Sequence, residues 1–217
     1  MRYQAVIFDM DGTLIDTSPS IISCAKTSMR LNGVPIPPES EFDRFIGPPL
    51  RQCFQIVTGI TDEALLDRLA DGYVANFTPE LIALGLVYDG MRELIVALHD
   101  QGVKLGVATL KLTKYAQQTT DHFGLTPYFD AVCGSADGIK ADKEAVMRDC
   151  MQQMGITDPT QVLMVGDSPY DQEGAKLVGT DFAAALYGYG YRREQPDTGH
   201  AVCLAEDVTD LARFLGC

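Results

Sequence analysis

Asp9 and Asp11 stand two positions apart directly after the apolar run AVIF, in the stretch DMDGTL. Side chains two apart in an extended chain point to one face, and two carboxylates on one face repel unless a cation or a reaction uses them. Farther along, Asp167 and Asp171 follow a second apolar run, VLMVG, and Thr109 closes a third, VKLGVAT. Acids and a hydroxyl at the ends of such runs suit oxygen ligation of a hard divalent cation, with a carboxylate beside it serving as nucleophile.

These residues must be positioned by the elements around them. The runs AVIF, VKLGVAT, FDAVCG, VLMVG and DFAAAL are short and apolar on both faces, as expected of parallel strands buried between helices. Helical patterns lie between them. DGMRELIVALHDQG has Asp89 as a candidate cap and Gly102 past its end, and TKYAQQTTDHFG has Thr113 and Gly124 in the same places. DKEAVMRDCMQQMG runs from Asp142 to Gly155 with Val146, Cys150 and Met154 on one face. Strand and helix alternate from residue 87 onward, which gives an α/β fold, a Rossmann-like doubly wound parallel sheet built from residues 1–15 and 87–217.

Residues 16–86 read differently. Pro19 opens a helix with Ile21, Ile22, Ala25 and Met29 at helical spacing and Gly33 at its end; TDEALLDRLADGYVANF continues with Leu65, Leu66, Leu69 and Tyr73. The proline-rich pieces VPIPP and IGPPL divide the segment into several helices. It is expected to form a small inserted α-helical cap domain, hinged near residues 16–19 and 86–89.

Ligands of an open parallel sheet bind beyond the carboxyl ends of its strands. Asp9, Asp11, Thr109, Asp167 and Asp171 all fall there, so four carboxylates are expected in one crevice, and Mg²⁺ is the expected counter-ion. On that geometry Asp9 attacks a phosphoryl group to form an aspartyl phosphate. Asp11 protonates the leaving oxygen and then deprotonates the attacking water.

DMDGTL, VATLK, IKADKEAV and GDSPYDQEGA, in that order, resemble the four motifs of the haloacid dehalogenase superfamily, whose largest group is magnesium-dependent phosphatases. The helical insert resembles the cap of its phosphoglycolate phosphatase-like branch, and GPPL at 47–50 is similar to a cap loop of that branch. The resemblance implies that Asp9 is nucleophile and metal ligand, and that Asp11 is the general acid/base with its backbone carbonyl on the metal. It implies that Thr109 hydrogen-bonds the phosphoryl group, that Lys143 offsets negative charge on nucleophile and phosphate, and that Asp167 and Asp171 bind the metal. Gly12 and Thr13 correspond to the loop that approaches the phosphate. Leu110 stands where the family often has a small polar residue, and Lys140 lies three residues before Lys143, with the alignment favouring Lys143.

The 217 residues are 46% hydrophobic and 22% charged, enough for a sizeable core, with a net charge of −13. That charge disfavours nucleic acid and anionic membranes as partners and leaves small cations and a small phosphorylated metabolite. Cys24, Cys53, Cys133, Cys150, Cys203 and Cys217 form no CxxC pair, which reads as reduced thiols in a cytoplasmic protein. No run approaches the roughly 20 apolar residues of a membrane helix, and no signal peptide is expected. His99, His122 and His200 lack metal spacing. Arg51, after GPPL, either reads the anionic end of a substrate or is a solvated arginine, and YGYGY at 187–191 either lines the site or turns the chain. The expected activity is Mg²⁺-dependent hydrolysis of a small phosphomonoester, phosphoglycolate-like or a nucleoside monophosphate. A sugar-phosphate mutase and a phospho-accepting receiver-like module are the alternatives.

Overall fold

The computed structural model describes residues 2–46, 48–136, 142–191 and 198–217, with Asp43 described by its backbone alone. In chain order the elements are β1 (Ala5–Phe8), β2 (Ile15–Asp16), α1 (Ser18–Leu31), α2 (Leu50–Thr58), α3 (Glu63–Asn76), α4 (Pro79–Ile82) and β3 (Leu86–Val87). They continue with α5 (Met91–Asp100), β4 (Lys104–Leu112), α6 (Thr113–His122), β5 (Ala131–Ser135), α7 (Lys143–Gln153), β6 (Val162–Gly166), α8 (Pro169–Val178), β7 (Asp181–Ala185), β8 (Ala201–Ala205) and α9 (Val208–Leu215). The chain divides into two compact units, Met1–Asp16 with Val87–Cys217, and Thr17–Leu86.

In the first unit six parallel strands lie in the order β5-β4-β1-β6-β7-β8. All four side chains of β1 are apolar and fully buried, because both faces of the sheet are covered. Val6 and Phe8 join Leu94, Ile95, Leu98 and Leu211 on one face, while Ala5 and Ile7 join Val146, Met147, Cys150 and Ala175 on the other. The direction of winding reverses at β1, with β4 on one side and β6 on the other, and this is where a crevice opens in such sheets. Register fixes what meets there. Phe8 lies opposite both Val107 and Val165, so the next residue, Asp9, comes level with Ala108 within β4 and with Gly166, the last residue of β6.

Local chemistry accounts for most boundaries. Asp142 caps α7, its carboxylate accepting the N–H of Ala145 at 2.8 Å. Gly90, at φ +80°, precedes α5, so Asp89 is not the cap read from the sequence: the left-handed turn at Gly90 places that glycine at the helix start. β4 runs three residues past Thr109 to Leu112, because pairing with β5 resumes after an irregularity between Ala108 and Leu112. β8 is an edge strand with Val202 and Leu204 exposed, and the helix that follows it buries Val208, Leu211 and Leu215, spaced along one face.

The second unit is helical. Ser28 of α1 donates to the carbonyl of Leu69 in α3 at 2.6 Å, and the unit's interior includes an aromatic cluster: Phe42, Phe45 and Phe54 are buried, with Phe45 and Phe54 edge to face at 4.9 Å. β2 and β3 form a separate two-stranded sheet. All six cysteines are free, four of them buried. Among the described residues no helix is long and apolar enough to cross a membrane.

Candidate active site

Lys143, the first residue of α7, is 5% exposed and reaches under the end of β1. Its ammonium donates to Asp9 Oδ1 at 2.6 Å and to the carbonyl of Ala108 at 2.8 Å, and lies 2.7 Å from Asp171 Oδ1. Two hydrogen bonds and the ion pair with Asp171 fix its position. Asp171 is in turn held by the start of α8. Its Oδ2 accepts from the backbone N–H of Ser168 at 3.0 Å and from the Ser168 hydroxyl at 2.6 Å, a reciprocal capping box.

Asp167 follows β6 and is 3% exposed. Its Oδ2 accepts the backbone N–H groups of Tyr189 and Gly190 at 2.7 and 3.2 Å, and its Oδ1 accepts from the Thr13 hydroxyl at 3.3 Å. The turn after β1 lies against it. Gly12 has φ +87°, and a Cβ there would fall 2.4 Å from Asp167 Oδ2, so both backbone shape and proximity require glycine.

Ligand-capable oxygens of Asp9, Asp167 and Asp171 lie within 4.8 Å of one another. One lysine faces three buried carboxylates, and the surplus negative charge shows in their proton affinity. Burial, then the charges of Asp171, Asp167 and Asp11, hold the Asp9 carboxyl well above its ordinary range against the pull of Lys143. Burial and Asp171 push Asp167 up to about 7. Burial alone pulls Lys143 down, but Asp171 and Asp9 outweigh it, so its ammonium stays charged. Three clustered oxygen donors with an unmet negative charge fit a hard divalent cation such as Mg²⁺.

The Asp11 carboxylate is not one of these three clustered donors, though its charge acts on Asp9. β1 ends at Phe8 and the chain turns, with Gly12 N–H on the Ile15 carbonyl and Ile15 N–H on the Met10 carbonyl, so alternation of faces no longer applies. The Asp11 carboxylate instead pairs with Lys111 of β4 at 3.1 Å. Three acids supply the clustered oxygens, and the fourth, paired with Lys111, still acts on Asp9 through its charge.

Thr109 is 1% exposed on β4, its Oγ1 accepting the backbone N–H of Lys111 at 3.2 Å, and Leu110 offers no side-chain polar atom beside it. Arg51 lies in the helical unit with its guanidinium on Glu63 and, at 3.1 Å, on Asp67 of α3, so reading a substrate anion would require it to leave both acids. Lys140 and Gly47 lie outside the described residues.

Three parts of the site were read in the sequence incompletely or not at all. Lys111 stands in VATLK two residues beyond Thr109, near enough in the chain to be a candidate for the same strand end. Ser168 with Asp171 is the S-x-x-D capping signature. The amides of Tyr189 and Gly190 have no sequence signal as ligands of Asp167.

Residues 6–185 match the haloacid dehalogenase-like hydrolase family. The chain belongs to that family. It is 33% identical over 195 residues to the 5'-nucleotidase of Pseudomonas aeruginosa, covering 89% of this chain and 87% of that protein. It is 31% identical over 188 residues to the tyrosine-protein kinase PtkA of Mycobacterium tuberculosis, covering 86% of this chain but 63% of PtkA, so the match spans less than two thirds of that relative. The crystal structure of a predicted phosphatase from Clostridium acetobutylicum superposes with a TM-score of 0.89 at 32% identity, covering 99% of each chain. The six-stranded parallel core is thus the α/β, Rossmann-like core of HAD-like hydrolases.

Proposed function

We propose that this HAD-like phosphatase hydrolyses a small phosphomonoester, of the phosphoglycolate or nucleoside monophosphate kind, with Mg²⁺ and through an aspartyl phosphate on Asp9. The observation that carries the reading is the buried Asp9 at the end of β1, bonded to Lys143 and grouped with Asp167 and Asp171. Asp9, Asp167 and Asp171 would hold the cation, with the Asp11 carbonyl as a further oxygen; when bound it neutralises charge on the phosphoryl oxygens.

The Asp9 carboxylate attacks phosphorus and forms an O–P bond as the ester O–P bond breaks. Lys143 holds Asp9 in place and offsets the charge gathered there. Asp11 gives its proton to the departing alkoxide, then takes one from water as that water attacks phosphorus and the bond to Asp9 breaks, releasing phosphate and restoring both carboxyl groups. The Thr109 hydroxyl and the Gly12–Thr13 turn supply contacts to the phosphoryl oxygens. The helical unit, inserted between β2 and β3, serves as the cap that excludes bulk water and reads the remainder of the substrate.

The similarity to PtkA supports a second reading, transfer of the phosphoryl group to a tyrosine hydroxyl. One experiment separates them. Phosphate release is measured from a panel of phosphomonoesters with Mg²⁺ or EDTA, for wild type and Asp9→Asn, beside an arm with ATP and a tyrosine-containing protein. Release that requires Mg²⁺ and falls by at least about 10³-fold in Asp9→Asn is expected. Phosphotyrosine formation without ester hydrolysis would replace this reading with the second.

A further inference from the structure

The loop that follows β7 reads YGYGY at 187–191, and its alternation matches its contacts. The main chain lies directly on Asp167, with the successive amides of Tyr189 and Gly190 aimed at one carboxylate oxygen. Consecutive N–H groups converging on one anion form a small backbone nest. Side chains at the two glycines would prevent the approach. A Cβ on Gly188 would lie 2.2 Å from Asp167 Cβ and 2.4 Å from the Gly12 carbonyl oxygen, and one on Gly190 would lie 2.5 Å from the Asp167 carbonyl oxygen.

The three tyrosines reach outward from this bare strip. Tyr187 donates to the Thr13 carbonyl at 3.1 Å, and Tyr189 donates to Asp16, the last core residue before the helical segment. The Tyr191 hydroxyl is shared between the Ser168 carbonyl at 3.0 Å and Gln172 Oε1 at 2.9 Å. The loop is thereby pinned to the turn after β1 on one side and to the start of α8 on the other, the two segments that carry Asp9 and Asp171.

We propose that residues 187–191 are a positioning loop for the divalent-cation site, fixing the Asp167 carboxylate relative to Asp9 through the Tyr189 and Gly190 amides. The proposal rests on the cation reading of the proposed function and adds residues to it that do not touch substrate. Groups that orient a metal-ligating carboxylate set its affinity without contacting the metal.

Calorimetric Mg²⁺ titration of the full chain tests it, for wild type, Gly188→Ala and the double variant Tyr187→Phe, Tyr189→Phe, with thermal melting to confirm folding. Gly188→Ala is expected to raise the Mg²⁺ Kd by about tenfold or more, and the double variant by a smaller factor. With saturating Mg²⁺, the KM for the ester should stay within about threefold, since loss of a metal-positioning contact is not loss of substrate binding. Should Gly188→Ala lack a cooperative melt, the double variant, which adds no atoms to the packed strip, decides. An unchanged Kd in the folded variants overturns the loop's role while leaving the cation site standing. Absence of Mg²⁺ binding in wild type overturns the cation reading and this proposal with it.

Discussion

Charge is buried in the α/β core and kept at the surface in the helical unit. Asp9, Lys143, Asp167 and Asp171 are between 1% and 7% exposed, whereas Arg51 of the helical unit pairs with Glu63 and Asp67, whose side chains are 75% and 60% exposed. What the helical unit buries is mainly apolar: aliphatic side chains such as Ile21, Met29, Leu66 and Leu69 together with Phe42, Phe45 and Phe54. Burying ions costs several kcal/mol each unless they are paired, and a well-packed apolar core is often at least as stable. The core's arrangement therefore makes sense by its chemistry, and the helical unit's by packing alone.

The contrast is sharpest at Lys143. Lys143→Met removes the only cation within 3 Å of Asp9 Oδ1 and Asp171 Oδ1 among the contacts described, and leaves two buried carboxylates facing each other. Breaking a buried pair in this way is expected to cost about 3–5 kcal/mol of metal-free stability. Mg²⁺ should restore part of it while phosphate release stays lost. Chemical denaturation with and without Mg²⁺ checks this, and an unaltered midpoint would remove the distinction between the two regions.

An intermediate effect is expected from pH. The Asp167 carboxyl is pushed up to about 7, first by burial and then by Asp171, while in the unfolded chain it titrates near its ordinary value of about 3.9. Between those values the folded, metal-free protein holds a proton that the unfolded chain has lost, so its stability falls as pH rises from about 4 to about 7. Mg²⁺ needs the ionised carboxylates, so its affinity rises over the same interval. Melting temperatures with and without Mg²⁺ should diverge as pH rises. Curves that stay parallel would mean that Asp167 titrates as it does in the unfolded chain.

The smallest effect is expected at Arg51. Arg51→Ala removes a half-exposed pair and should change stability by less than about 1 kcal/mol. Because the guanidinium is engaged by α3, KM for the ester should not change. A raised KM at constant kcat would show that Arg51 leaves Glu63 and Asp67 to bind substrate, and would bring the helical unit's charge into the chemistry.

Much of the site was legible because its signals are local. Apolar runs buried on both faces mark β1 and β6 as sheet strands, and Asp9 and Asp167 follow them immediately, so the parallel-sheet rule alone places both at one edge. Asp142 as a cap fixes the start of α7 and with it the height of Lys143. What was not legible has the opposite character. Spacing put Asp11 near Asp9, where its charge does act, but could not show that its ion-pair partner is Lys111, 100 positions along the chain. The Tyr-Gly alternation was visible in the sequence, yet its meaning depends on a carboxylate more than twenty residues earlier that only sheet order brings against it. By itself the sequence determined which residues end strands and begin helices, since backbone preference and apolar periodicity act over a few residues. Only the tertiary structure decided which cation serves which acid, because a buried hydrogen bond depends on the neighbour that packing supplies.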